Sequence, residues 1–422
     1  MNSNRKIFIV FSSIFVVTIL TTTIVLYIAF SFNEDVEKSR QGRWRRAILT
    51  EEEQQSRLSQ LISLGYLSGY NHAPEKIGVT VYDKELAFDG LNMFTSGHAA
   101  EAFIMDMEGN IIHNWRYNIE SVWEGYPMIP ENRYWRRIFL FDNGDILAIF
   151  EGIGIIKLDK NSNLIWEHKG EEHHDISVSD DGRIYVLSRK ERIIPWINKT
   201  SPVLDDYITI LDSSGNVFEE YSILECLKNS SYAFLLEKMK REGDILHTNA
   251  LEVLDGRSSD ISALYEKGNV IISIRDLDVI AIIDMEENKV VWALDGSNDG
   301  LWKKQHDPVL LSNGNILVFD NYAGINRSRV IEYNPFNQEI AWEYKGDTVN
   351  SFFSKGCGVS QRLPNGNTLI TETDNGRAFE VTPDNKIVWE YVNPHRAGLK
   401  NELIATLLHM NRLNHSSIEG IL

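Results

Sequence analysis

From Gly78 onward the chain is written in short runs where apolar and polar positions alternate, cut at near-regular spacing by turn-forming residues. The segment His306–Tyr344 (HDPVLLSNGNILVFDNYAGINRSRVIEYNPFNQEIAWEY) shows the pattern most fully. It holds four alternating or β-branched runs, with turn residues at Ser312–Asn315 and Asn334–Asn337. Alternation with period two predicts half-buried strands, and Asn, Gly, Ser and Pro between them predict tight turns. Four strands in a row predict an antiparallel meander, the unit of a β-propeller blade.

The unit recurs. A strand, a turn and a strand ending in an aromatic appear at 104–115, 156–168, 208–221, 281–294, 329–344 and 378–391. Their aromatics are Trp115, Trp166, Phe218, Trp292, Trp342 and Trp389, at intervals of 51, 52, 74, 50 and 47 residues. A second hairpin precedes each unit, at 139–150, 177–189, 265–275, 309–321 and 361–373, with Gly78–Asp83 and Leu91–Gly97 expected as the inner pair of the first. A period near 50 is a repeat signature, and half a blade buries neither face alone. The expected fold is all-β: a six-bladed β-propeller of four-stranded antiparallel blades over residues 78–395. The long interval reflects insertions at 223–242, helical in spacing, and 255–264, read either as a lid or as packing on the rim. Leu399, Leu403, Ile404 and Leu407 predict a helix near 399–411 in a tail of 396–422.

Ahead of the repeats lie a basic tail (1–6), an uncharged run of 24 residues (7–30) and a charged connector (31–77) with a capped helix expected from Thr50 to about Leu64. Twenty-four residues in a helix reach about 36 Å, enough for about 30 Å of hydrocarbon. No A-x-A cleavage site follows, so the run reads as an uncleaved single-pass signal anchor with the domain on the extracytoplasmic, periplasmic side. Arg43, Arg45 and Arg46 blur the positive-inside bias. A formal charge of −18 argues against nucleic acid as partner. Two cysteines, Cys226 and Cys357, exclude a disulfide framework, and sequence leaves open whether they pair.

The repeat register directs attention to histidines. His174, His247 and His306 open the innermost strands of consecutive blades, while Arg189, Arg275 and Asn321 close the second strands of the same blades. Inner-strand starts and second-strand ends meet one face of a propeller, beside its channel. A lone histidine there is usually a capping or surface residue, and Arg189 reads equally well as an ion-pair partner of a nearby acid; three histidines at one register position are harder to dismiss. Two chemistries fit: a His₃ metal site, or anion handling with one histidine as nucleophile. Arg275 favours the second, because a guanidinium repels a cation and binds a tetrahedral oxyanion through its fork. No metal and no cofactor are called for. A binding scaffold and a His-ligated metal hydrolase stand as the alternatives.

The segments HHDISVSDDGRIYVLSR, DILHTNALEVL, NVIISIRDLDVIAIIDMEENKVVWAL, QHDPVLLSNGNILVFDN and RLPNGNTLITETDNGRAFEVTPDNKIVWEY, with the entry segment YDKELAFDGLNMFTSGHAAEAFIMDMEGNIIHNW, carry a family likeness. Over roughly residues 78–395 the chain resembles the bacterial arylsulfotransferases, six-bladed propellers that need no nucleotide sulfate donor. The resemblance implies ping-pong transfer of a sulfuryl group from an aryl sulfate donor to a phenolic acceptor. His306 would become the sulfohistidine, His174, His247 and Arg275 would serve catalysis, and Asn249 would bind substrate; Arg189 and Asn321, placed by the register alone, are expected to bind substrate beside it. The anchor departs from the exported members of the family and leaves donor and acceptor open, with lipid-linked, envelope or polysaccharide acceptors as further candidates.

Overall fold

A computed structural model describes residues 69–418 apart from 125, 127–132, 299, 348–350 and 398–399. Its architecture is all-β. Among the described residues six antiparallel sheets have a four-stranded path. The second to sixth begin at the inner strands Ile138–Leu140, Glu172–Val178, Thr248–Val253, His306–Leu310 and Val359–Arg362, each followed in order by three more strands. The first sheet differs: its inner position is taken by Leu407–Leu413, which pairs with Leu91–Ser96.

Why these strands carry so few polar positions follows from their neighbours. Successive residues of a strand point to opposite faces, so a strand covered on both faces reads as continuously apolar. Val270–Ile274 is an example: Val270, Ile272 and Ile274 pack towards Leu187 and Ile208 of the third sheet. Ile271 packs instead towards Ile316 and Val318 of the fifth. The same division holds for the other neighbouring pairs. Five further clusters join sheets one and two, two and three, four and five, five and six, and six and one. The hairpin turns of the inner pairs rest on glycines in the left-handed region, such as Gly314 at φ 82° and Gly366 at φ 88°, a conformation a side chain would strain.

Four expectations change. The helix expected near 399–411 does not form among the described residues: Leu403–Ala405 and Leu407–Leu413 are strands, and the second supplies the inner strand of the first sheet. Helical spacing of four leucine and isoleucine residues lost to long-range pairing, since Leu407 meets Ser96 across the whole chain. Gly78–Tyr82 does not pair with Leu91–Ser96; it adds to the outer edge of the sixth sheet beside Ile387–Val392. The 223–242 insertion forms a short helix, Ile223–Lys228, capped by the Ser222 hydroxyl. Its Ile223, Leu224, Cys226 and Leu227 are buried in the core between the third and fourth sheets, so it packs on the rim. Cys226 and Cys357 are both buried free thiols.

The fourth change concerns the membrane. The run at 7–30 and the helix at 50–64 lie outside the described residues. Among the described residues no helix is long and apolar enough to cross a membrane. The α-helices there, Ile119–Val122 and Ile223–Lys228, have four and six residues. They span about 6 and 9 Å against a hydrocarbon core of about 30 Å. On that finding the expected single-pass anchor with an extracytoplasmic domain is not supported, and no membrane partner is carried forward.

Candidate active site

The inner strands of the third, fourth and fifth sheets share an irregularity at their starts. Pairing slips between His173 and Ile176, between Thr248 and Ala250, and between His306 and Val309. At each slip, or directly before it, a non-glycine residue lies in the left-handed region: His174 at φ 57°, His247 at φ 53° and Asp307 at φ 50°. Such residues cost about 1–3 kcal/mol each and persist where the surroundings over-determine them, and bulges re-aim side chains. The three histidines therefore do not share one register position. His174 and His247 occupy the left-handed position itself, and His306 precedes it.

The offset still gathers them. The rings of His174 and His247 lie 5.2 Å apart, edge to face. His174, Asn249 and His306 line one small cavity together with Arg136, Arg137 and Cys357. Arg275 follows the second strand of the fourth sheet; its backbone N–H donates to the carbonyl of His247 at 3.2 Å. Three polar atoms of this group are buried without a hydrogen-bond partner among the described residues: His306 Nε2, Asn249 Oδ1 and Arg275 Nε. Leaving such groups unmade costs about 1–3 kcal/mol apiece, and two of the three lie on one cavity, where they are open to a polar ligand.

Each histidine has a different support. His306 bonds through Nδ1 to Asn321 Oδ1 at 2.7 Å. His247 bonds through Nδ1 to Asp244 Oδ2 at 2.5 Å. His174 Nδ1 lies 3.2 Å from Glu151 Oε1, and 2.8 Å from Nδ1 of its neighbour His173. Burial pushes all three imidazoles down from 6.5; for His306 the Arg275 guanidinium adds to it, and for His174 the neighbouring His173. For His247 the Asp244 carboxylate pulls the other way without winning. Burial would raise Asp244, but Arg189 and His247 outweigh it and hold that carboxyl well below the usual range.

Of the seven sequence-predicted residues, His174, Asn249 and His306 line the cavity, while His247, Arg275, Arg189 and Asn321 do not. Arg189 is 1% exposed; its Nε donates to Asp206 at 2.9 Å and its Nη2 lies 3.5 Å from Asp244. It is the ion-pair partner that the alternative reading foresaw, with Asp206 and Asp244 as the acids. Asn321 is fully buried behind His306. Sequence reasoning missed Arg136, whose Nη2 reaches Cys357 Sγ at 3.2 Å and whose Nε lies 3.8 Å from Glu151. The signal was available: Arg136 and Arg137 sit at the start of the second sheet's inner strand, where the same register logic applies.

The rim is cationic. Asp276 takes Arg275 Nη1 at 2.9 Å, Lys304 Nζ at 3.1 Å and Lys240 Nζ, three cations on one carboxylate. A cation site is the weaker alternative. Glu151, His173 and His174 do offer ligand atoms within 4.8 Å of one another. However, Arg136 already neighbours Glu151, and Arg189 acts on both imidazoles from close by. Two guanidiniums beside the group oppose a divalent ion.

A family model for arylsulfotransferase (ASST) matches residues 137–394. The chain belongs to that family. The matched span includes every site residue described above except Arg136, which precedes it by one residue. No curated protein matches the arylsulfotransferase chain. Among solved structures, a protein of unknown function from Bacteroides caccae is similar at 12% identity and TM-score 0.48, covering 76% of this chain and 98% of its own. A streptogramin B lyase is similar at 14% identity and TM-score 0.44, covering 80% and 93%. A virginiamycin B lyase from Staphylococcus aureus follows at 12% and 0.40, covering 77% and 88%.

Proposed function

We propose that the six sheets are the blades of one six-bladed propeller, and that the chain moves a sulfuryl group from a phenolic sulfate ester to a phenolic or other hydroxyl acceptor through a sulfohistidine. The observation that carries this reading is the bare, buried Nε2 of His306 in a cavity shared with His174 and Asn249, within the field of Arg275. In the first half-reaction the Nε2 lone pair attacks sulfur; the N–S bond forms as the S–O bond to the aryl group breaks, and the phenolate leaves. In the second, the acceptor hydroxyl loses its proton and attacks the same sulfur, and the N–S bond breaks. Arg275 stabilises the sulfuryl oxygens as charge spreads over them. His247 moves the proton, because the Asp244 carboxylate at its Nδ1 stabilises an imidazolium there. Asn249 donates to the Gln305 carbonyl at 2.9 Å, which leaves its Oδ1 to accept from an acceptor hydroxyl. The cationic rim favours an anionic donor.

The test is intact-mass analysis after incubation with 4-nitrophenyl sulfate and no acceptor. An adduct of about 80 Da on His306, lost when phenol is added, is expected of a covalent relay. Transfer with no adduct on any histidine refutes it.

Protonation gives an independent check. His306 must be neutral to attack, and its pKa is pushed well below 6.5 by burial and then by Arg275. The acid limb of kcat/KM should therefore lie below pH 6.5, with a plateau through neutrality; a limb centred above 6.5 counts against the assignment. Linkage has the same sign. These histidines stay neutral when folded but take protons when unfolded, so their contribution to stability is lost as pH falls below 6.5.

A further inference from the structure

The strongest unassigned feature is the way Asn321 is held. An asparagine amide has one acceptor oxygen and two N–H donors, and here every one is used. Nδ2 donates to the carbonyls of Ser354 at 2.8 Å and Cys357 at 2.9 Å. Turning the amide over would set its oxygen against both carbonyl oxygens, so Oδ1 is bound to face His306 Nδ1. That contact, at 2.7 Å, needs a proton on the imidazole nitrogen. The second neighbour of Nδ1 is again an acceptor, the carbonyl of Lys304 at 3.2 Å. With the proton on Nδ1, a neutral imidazole carries its lone pair on Nε2, the atom with no partner in the cavity.

We infer that Asn321 sets the tautomer of His306, fixing the proton on Nδ1 so that Nε2 is the atom presented to the sulfuryl group. The inference rests on the reading of His306 as nucleophile. Asn321 is thus a positioning residue: fully buried and with its amide committed, it has nothing left to offer a substrate, which replaces the substrate-binding role expected from sequence. The neutral amide also distinguishes His306 from His247, which a carboxylate holds. A carboxylate would favour the imidazolium and so occupy the lone pair; an amide fixes the tautomer while leaving the ring neutral.

The deciding measurement is nitrogen NMR on protein labelled with ring-¹⁵N histidine, with the His306 signals identified by their loss in His306→Gln. The parent is expected to show a protonated Nδ1 and a bare Nε2. Asn321→Ala should redistribute the proton between the two nitrogens and lower kcat by between about 10² and 10⁴, the range spanned by general acid–base contributions and by a catalytic histidine held in the wrong tautomer. Asn321→Asp sets an ionisable carboxyl at Nδ1, so it should keep the Nδ1 proton but favour the imidazolium and move the acid limb of kcat/KM to higher pH than in the parent; that shift decides the matter should the alanine variant not fold, and an unmoved limb counts against the inference. A parent carrying the proton on Nε2, or an Asn321→Ala protein that keeps both tautomer and kcat, overturns the inference. A parent with the expected tautomer that never acquires the adduct overturns the nucleophile reading and leaves the hold of Asn321 on the ring intact.

Discussion

His306→Ala is expected to abolish sulfuryl transfer between aryl sulfates and phenols, with a loss of about 10⁴-fold or more, because removing a covalent nucleophile deletes the intermediate and not one contact to it. No neighbour is suited to replace it. His247 and His174 are the nearest imidazoles, but both lie beside carboxylates, Asp244 and Glu151. Their Nδ1 atoms are engaged by those acids, which suits proton transfer, whereas the bare buried Nε2 that attack needs belongs to His306. The remaining nucleophile candidate at the cavity, Cys357, has its thiol pushed up to about 11 by burial, so little thiolate exists at neutral pH. The substitution leaves Asn321 Oδ1 buried without its partner, which costs about 1–3 kcal/mol, so the fold should persist with a lowered melting temperature. A folded variant that turns over normally would remove His306 from the mechanism.

How much of this was legible in the sequence depends on whether the cause was local. The repeats were readable because alternation and Asn-Gly or Asp-Gly turns are short-range signals, and sheets two to six follow them. The closing strand Leu407–Leu413 was not, since its partner Leu91–Ser96 lies at the other end of the chain and its leucines happen to fit helical spacing. At the site, register logic pointed to His174, His247, His306 and Arg275, and the family resemblance pointed to Asn249. Register logic could not see the bulges that displace His306 by one position from the other two, because a bulge depends on pairing rather than composition. Nor could it see roles. Arg189 and Asn321 do not end their strands, which run on to Arg192 and Gly324, and Asp206 and two backbone carbonyls take them up. The support of His247 comes from Asp244, which belongs to a two-residue strand, Gly243–Asp244, that joins the third sheet in parallel after the 223–242 insertion.

The largest expected loss of stability belongs to Arg137, next to the site but with no part in its chemistry. Its Nε donates to Asp175 at 2.6 Å and its Nη2 to Asp307 at 2.8 Å. Asp175 also accepts from the backbone of Leu251 at 3.0 Å, and Asp307 from that of Ser360 at 2.9 Å. One guanidinium on the second sheet thereby links the inner strands of the third, fourth, fifth and sixth. Burial opposes its charge, but the two carboxylates outweigh that and raise its pKa. Arg137→Met keeps the length of the side chain and removes the charge, leaving two buried carboxylates uncompensated. Breaking such a group by removing one partner costs about 3–5 kcal/mol. Urea unfolding at pH 7.5 should show that loss. Its pH dependence identifies the cause: burial already pushes the Asp307 carboxyl up with the guanidinium present, and without it the shift grows. A carboxyl whose folded pKa is raised binds its proton more readily folded than unfolded, so the variant regains stability relative to the parent as pH falls. A deficit that stays constant from pH 8 to 5 would mean that lost packing of the arginine stem, not two stranded charges, is what the substitution removes.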